Sequence, residues 1–476
     1  MTNGRDAIIL AAILLLALAL RLYGLNAPLW YDEIVTVDTH LRLPWGEMLR
    51  DYSMNHHYLH NLLAKASMQV FGDAPWATRL PALAFGIGTI WATWVLARDV
   101  ADRRIAHVTA LLMALSYHEI WFSQNARGYT GLAFFSTLSL IFFLRGMAAS
   151  RLSLWVGFGL TMAAAIFTHL TGSFFYVAIG IVWAITLIVR RQGGALLVQP
   201  LIGAGLGLLL SGLAYLPLVP SMTKTVAGVA DTSAVDEMQE YQSPLWAAAE
   251  AIRTGLGEAG ALNLLVGLAV LGLSVLGAMA LHRRGRLFAP IVFLHIAVTV
   301  VILMAIGMRI WPRFFFVDIG LLLLLIVAGV EWLCQRLGGF AGRGAGRGLF
   351  VVASVLMVAI SAFLATRNYR FPKQDLAGAY ALVQAERQPG ERVYAVGYAG
   401  RLFQSHFGAD WATIFTPEDY AAAMATPGPI TFVVAFPARS FRAMPQLQAD
   451  RDVKLSERIW LPGTLGDGGV VILRRK

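Results

Sequence analysis

Two carboxylates, Asp32 and Glu33, stand side by side in the stretch PLWYDEIVTV, shortly after an apolar run that ends near residue 22. A carboxylate at that place can take a proton from a hydroxyl. Cations and histidines recur farther along the chain. NHHYLHNLLAK (55–65) carries His56, His57, His60 and Lys65, and WFSQNARGYT (121–130) carries Gln124, Arg127 and Tyr129. THLTG carries His169, and MRIWPRFF carries Arg309 and Arg313. A guanidinium is a planar fork that matches phosphate or carboxylate. Plainer readings exist for each one. An acid just past a membrane end is often a solvated charge, a lone arginine at a helix end often snorkels to headgroups, and His57 and His60 read as ordinary loop histidines. The three histidines in 56–60 do not follow H-E-x-x-H, which makes a zinc site a weak inference. His107 falls inside an apolar segment and reads as structural.

The elements that must position these residues are set by composition. Of 476 residues, 57% are hydrophobic and 14% charged, whereas soluble domains carry about 25% charged residues. One soluble core could not absorb that much apolar surface, and the repeated apolar runs point to a polytopic membrane protein. The single cysteine, Cys334, excludes an intramolecular disulfide. The net charge of +10 raises nucleic acid as a partner, but arginine in cytoplasmic loops explains it in a membrane protein.

Apolar segments lie near 7–22, 80–97, 105–117, 130–148, 153–168, 173–190, 196–217, 261–281, 287–307, 314–333 and 348–366. That predicts about eleven spans at roughly 17–25 residues each. The first has a barely basic lead and no clean A-x-A site after it, so it reads as an uncleaved anchor. With the N-terminus inside, every inner loop is basic: Arg98, Arg103 and Arg104; Arg145 and Arg151; Arg190 and Arg191; Arg283, Arg284 and Arg286; Arg336, Arg343 and Arg347. This alternation sets the orientation. It puts the polar residues above on the outer side, in loop 23–79 and the turns near 118–129, 169–172 and 308–313, where they can converge over one cavity. Trp30, Trp45, Trp76, Trp121 and Trp311 fit an interfacial aromatic belt.

Residues 1–366 therefore read as a transmembrane catalytic domain, with outer loops 23–79 and 218–260, and 367–476 as a second domain outside the membrane. In the tail, RVYAVGY and ITFVVAF read as short buried strands with helical stretches between them, a small α/β fold. Its charges are dispersed as on a solvated surface, which suggests an accessory role. Loop 218–260, with YQSPLW, is either a lid over the cavity or a plain connection. GGFAGRGAGRG (338–348) lacks the Lys-Ser/Thr of a P-loop and follows no strand, so it reads as a linker.

The combination LWYDEIVTV, HHYLHNLLAKASMQVFGDAPWATRLPALAFG, HEIWFSQNARGYTGL, THLTG and WPRFFFVDIGLLLLL resembles the GT-C superfamily of membrane glycosyltransferases. The likeness is to its bacterial branch near glycosyltransferase family 39, relatives of protein O-mannosyltransferases and of the lipid A aminoarabinose transferase. It extends over about residues 1–335 in order and spacing. There are departures. His57 and Tyr58 follow His56 where relatives commonly read His-Pro-Pro, and Asn125 stands where an acid is often found. If that acid helps to hold a metal in relatives, the ligand is missing here.

The resemblance implies a GT-C fold of about eleven transmembrane helices with a small extracytoplasmic α/β domain. It also implies transfer of a sugar, with inversion, from a polyprenyl-phosphate-sugar donor to an acceptor hydroxyl of a glycan, lipid or protein. A multi-pass protein of the bacterial cytoplasmic membrane would do this with its active site facing the periplasm, among membrane lipids and without nucleic acid. The leaving phosphate diester becomes a monoester and needs no general acid, unlike the alkoxide of glycoside hydrolysis. It needs positive charge, from Arg127, Arg313, His56 or a divalent metal ion, and the acceptor needs a base. Neighbouring side chains point about 100° apart on a helix and to opposite faces on a strand, so one acid of the pair faces the site while the other supports it or stays solvated. The family motif centres on Asp32, which makes Asp32 the expected base of the catalytic pair Asp32 and Glu33. His56, His57, Gln124, Arg127, Tyr129, His169 and Arg313 are the expected donor or substrate contacts, and no cofactor is certain. The rival reading is a transporter or a flippase for lipid-linked sugar. It would concentrate ionisable residues and broken helices at mid-membrane.

Overall fold

The computed structural model describes residues 4–191, 193–231, 241–257, 260–283, 285–341, 344–397, 399–455 and 457–475. Arg284 and Arg343 of the basic loops, and the centre of loop 218–260 at 232–240, lie outside them. A helix occupies each predicted apolar segment: Gly4–Leu22, Pro75–Val100, Arg103–Leu115, Tyr129–Ala149, Leu152–Thr168, Gly172–Arg190, Ala195–Tyr215, Ala261–Leu281, Phe288–Ala305, Phe316–Ala341 and Ala345–Ala365. Among the described residues, eight helical stretches are long and apolar enough to cross a membrane. The three shortfalls have simple causes. Gly4–Leu22 carries Arg5, Asp6 and Arg21 near its ends, although its 19 residues span about 28 Å at 1.5 Å per residue. Leu152–Thr168 has 17 residues. Arg103–Leu115 has 13 because Asp102 caps its start, accepting from the amides of Arg104 at 2.8 Å and Ile105 at 3.1 Å, and the chain breaks at Ser116. The break starts a second helix, Tyr117–Ser123, whose end delivers Gln124 and Arg127.

The chain forms two compact units. The first holds the long helices. Its helices pack through small residues, as membrane bundles do: a Cβ at Gly277 would collide with the Leu325 backbone across the contact between Ala261–Leu281 and Phe316–Ala341. Leucine and valine on the outward faces stay exposed, as lipid-facing residues must, with Ala345–Ala365 the most open. His295 and Asp318 meet at 2.8 Å, both buried. They tie two neighbouring helices together, Asp318 lying five residues past Arg313.

The second unit takes Asn26–Met48 together with the tail from Arg367. Its sheet has five strands, β1 (Arg392–Val396), β2 (Ala412–Ile414), β3 (Ile430–Ala435), β4 (Glu457–Leu461) and β5 (Val470–Arg475), in the order β2-β1-β3-β5-β4. β1 pairs in parallel with β2 and β3, in register Tyr394 with Phe432, while β5 runs antiparallel to β3 and to β4. β1 and β3 are the strands read from RVYAVGY and ITFVVAF. Every residue of β3 is buried, as expected for a central strand covered on both faces. Helices Leu376–Glu386, Ala399–Phe407, Pro417–Ala425, Pro437–Ala443 and Pro445–Asp450 make the rest. The segment around the acid pair forms a short helix, Tyr31–Thr36, continued by a π-helical turn over Val37–Leu41.

Candidate active site

The acid pair and the cation–histidine cluster belong to different compact units. Within the short Tyr31–Thr36 helix the two acids differ. Glu33 is fully buried, and its Oε2 accepts from the Trp30 amide at 3.3 Å. A carboxylate at the third helical position thus satisfies a donor at its own helix start. Asp32 is half-buried, and its main-chain carbonyl accepts from Thr36 Oγ1 at 2.8 Å.

The cluster in the first unit is built by three turns and the start of one helix. Tyr58–Phe71 is a helix entered through His56 and His57. His56 stacks on Tyr58 at 3.9 Å, and its Nδ1 lies 3.0 Å from Asn61 Nδ2. Tyr58 donates to the Asp51 carbonyl at 2.9 Å. His57 is fully buried and lies 4.6 Å, ring to ring, from His169 and 4.8 Å from Tyr129. Gly128 makes this approach feasible, since a Cβ there would stand 2.7 Å from Thr168 Cγ2 and 3.0 Å from His57 Nδ1. Arg127 is buried and donates to the Asn55 carbonyl at 3.0 Å and to the Asn55 side chain. Arg313 lies over Trp311 at 5.1 Å. The YQSPLW segment braces that turn: Ile310 donates to the Tyr241 carbonyl at 2.7 Å, and Tyr241 and Trp246 pack on Trp311.

Burial and the two arginines act together on the histidines. Burial lowers His169 to about 3, helped by Arg127 and Arg313. His57 is held well below the usual histidine range by burial first, then by Arg127 and its other charged neighbours, Arg313 among them. Both imidazoles are therefore neutral near pH 7, and the guanidiniums carry the positive charge. His169 Nδ1 accepts from the Thr171 amide at 3.2 Å, which leaves the proton of the neutral ring on Nε2. Both ring nitrogens of His57 are buried with no hydrogen-bond partner among the described residues. Buried polar atoms in native proteins are nearly always satisfied, so such atoms mark a place where a ligand's polar atoms fit. No three His, Cys, Asp or Glu side chains among the described residues gather as a metal-ligand set. The two adjoining histidines also share their surroundings with two arginines, which do not fit a divalent cation.

Gln124 is placed differently from the other candidates. Its Nε2 donates to the carbonyls of Arg21 at 2.9 Å and Tyr23 at 2.6 Å, groups left over at the end of the Gly4–Leu22 helix. Two buried arginines that sequence reasoning passed over work there as well. Arg21 donates to Ser123 Oγ and to the Ala114 and Met113 carbonyls at 3.0–3.2 Å, and Arg79 to the Leu25 carbonyl at 2.8 Å. They fix the end of the chain that leads to the acid pair. An arginine inside an apolar segment was the available signal.

Residues 55–214 match the family model for dolichyl-phosphate-mannose-protein mannosyltransferase. No curated protein sequence matches the chain. Among solved structures, apo ArnT from Cupriavidus metallidurans is 15% identical with a TM-score of 0.57, over 99% of this chain and 98% of that one. ArnT from the same organism bound to undecaprenyl phosphate gives 16% and 0.51, over 100% and 98%. The Archaeoglobus fulgidus oligosaccharyltransferase in complex with Zn and sulfate gives 13% and 0.59, over 96% and 72%. The chain thus has the fold of GT-C superfamily membrane glycosyltransferases, as its loop motifs implied.

Proposed function

We propose that this multi-pass membrane protein is an inverting glycosyltransferase. It moves a sugar from a polyprenyl-phosphate-sugar to an acceptor hydroxyl on the outer side of the cytoplasmic membrane. The observation that carries the reading is the cluster itself: His57, fully buried with both ring nitrogens unpartnered among the described residues, stands 4.6 Å from His169, and burial first, then Arg127 and Arg313, keeps both rings uncharged. Two guanidiniums beside neutral imidazole donors suit a phosphate that gains charge, and the ArnT relative has been solved with undecaprenyl phosphate bound. In the step, the acceptor oxygen attacks the anomeric carbon from the face opposite the phosphate. The carbon–oxygen bond to phosphate breaks, its electron pair stays on the leaving polyprenyl phosphate, and the hydroxyl proton passes to the Asp32 carboxylate. The arginines stabilise the charge that develops on the phosphate. Glu33 holds the helix that carries Asp32.

The test is transfer in proteoliposomes. Radiolabelled undecaprenyl-phosphate mannose, glucose and aminoarabinose are supplied separately, with an envelope extract as acceptor. Label is expected in the acceptor fraction for one of them. Asp32→Asn is expected to lower turnover by about 10² or more, the usual scale for a general base, with donor binding retained. Label that crosses the bilayer while staying on the lipid would point to a flippase, and wild-type turnover in Asp32→Asn would remove the base assignment.

A further inference from the structure

The sheet of the second unit has a switch point. β2 and β3 lie on opposite sides of β1, so the strand order reverses between β1 and β3. Sheets of this kind open a crevice at the carboxyl ends of the strands at such a point, and ligands commonly occupy it. Here a piece of the same chain lies there. The Tyr31–Thr36 helix packs on helix Ala399–Phe407, which follows β1. The Tyr31 ring meets Phe436, the residue after β3, edge-on at 5.1 Å and 81°, and the Tyr31 amide donates to Gln374 Oε1 at 3.4 Å. In the adjoining turn, Asp38 lies 3.2 Å from His406 Nδ1.

Phe436 is held in an uncommon conformation, φ 52 and ψ 60. A bulky residue in the left-handed region is strained and persists only where its surroundings enforce it. The surroundings are present. Asp467 accepts from the amides of Ala438 at 2.7 Å and Arg439 at 3.2 Å, Ser440 Oγ donates to the Ala435 carbonyl at 2.8 Å, and the Arg439 guanidinium covers the Phe436 ring at 4.3 Å. All of this fixes the ring that Tyr31 abuts.

We propose that the tail domain seats the acid pair: Phe436 and His406 are positioning residues for Asp32, acting through Tyr31 and Asp38. The proposal rests on the reading of Asp32 as the base. On it, the tail takes part in every turnover by holding the Asp32 carboxylate in place, without touching the substrate.

The experiment uses the full-length protein in nanodiscs, with hydrogen exchange read by segment and kinetics with the undecaprenyl-phosphate sugar that wild type transfers. His406→Ala and Phe436→Ala are expected to speed exchange in 31–41 about tenfold and leave the long helices unchanged. They are also expected to lower kcat about tenfold with the donor KM unchanged. His406→Asn, which keeps a donor at the Nδ1 position, and Phe436→Tyr are expected to recover most of both. Should Phe436→Ala also loosen β1–β5, His406→Ala decides, because that side chain is partly exposed and lies outside the sheet core. Unchanged exchange in 31–41 overturns the proposal, as does normal kcat in His406→Ala when Asp32→Asn is inactive. If Asp32→Asn turns over like wild type, the base assignment fails, and the exchange data judge the seating by themselves.

Discussion

At the scale of single residues, the cluster separates charge from hydrogen bonding. Arg127 and Arg313 hold the charge, and His57 and His169 are kept neutral. Arg127→Lys is expected to weaken binding of undecaprenyl phosphate about tenfold, because an ammonium cannot make the paired bonds of a guanidinium. Unchanged affinity, measured by competition with a fluorescent analogue, would leave Arg127 only the structural role of tying down Asn55. The histidines also set a pH response. A histidine near 3 in the fold and near 6.5 when unfolded stays uncharged in the native protein while the unfolded chain takes up protons. Its contribution to stability is therefore complete above about pH 6.5 and is lost as pH falls toward about 3. Thermal unfolding midpoints from pH 7 to pH 4 are expected to fall, and His169→Gln is expected to flatten that slope. An equal slope in the variant would show that His169 is not the group responsible.

At the scale of elements, four short structures build the cluster: the helix start at His57 and the turns at 124–129, 169–172 and 308–315. Three of them follow from local signals. Ser116 ends one helix and begins the next, Gly128 admits the His57 ring, and Pro312 opens the 3₁₀ turn that presents Arg313. Gly128→Ala adds one methyl where atoms already stand at 2.7 and 3.0 Å. Overpacking of this kind costs about 1–3 kcal/mol, so the variant is expected to fold with a lowered melting temperature and to lose turnover at least tenfold as His57 shifts. Wild-type kinetics in a folded Gly128→Ala would show that the His57 position does not matter. Sequence motifs found these turns but assigned Gln124 to substrate. The structure gives its amide to the end of the first helix, because the last carbonyls of a helix have no partner within it and need donors.

At the scale of the whole molecule, a reading as eleven spans puts the basic loops on one side and the tail outside. An enzymatic reporter fused after residue 476 should be active only when exported, as the arginine-rich loops require of the opposite side. A reporter active only in the cytoplasm would overturn the orientation. The tail looks accessory in sequence, since its charges are dispersed. The compact unit it forms with Asn26–Met48 gives it a second role to test, as the seat of the acid pair.

The sequence by itself determined what depends on neighbours along the chain. Helices stand at all eleven apolar runs and strands at RVYAVGY and ITFVVAF, because hydropathy and residue type act over a few turns. The loop motifs carried the GT-C likeness for the same reason, being short and contiguous. Tertiary structure alone decided what depends on residues far apart in sequence. It grouped Tyr31 with Phe436 and Asp38 with His406, across nearly the full length of the chain. It also neutralised His57 and His169, since burial and the reach of Arg127 and Arg313 exist only once the turns are brought together.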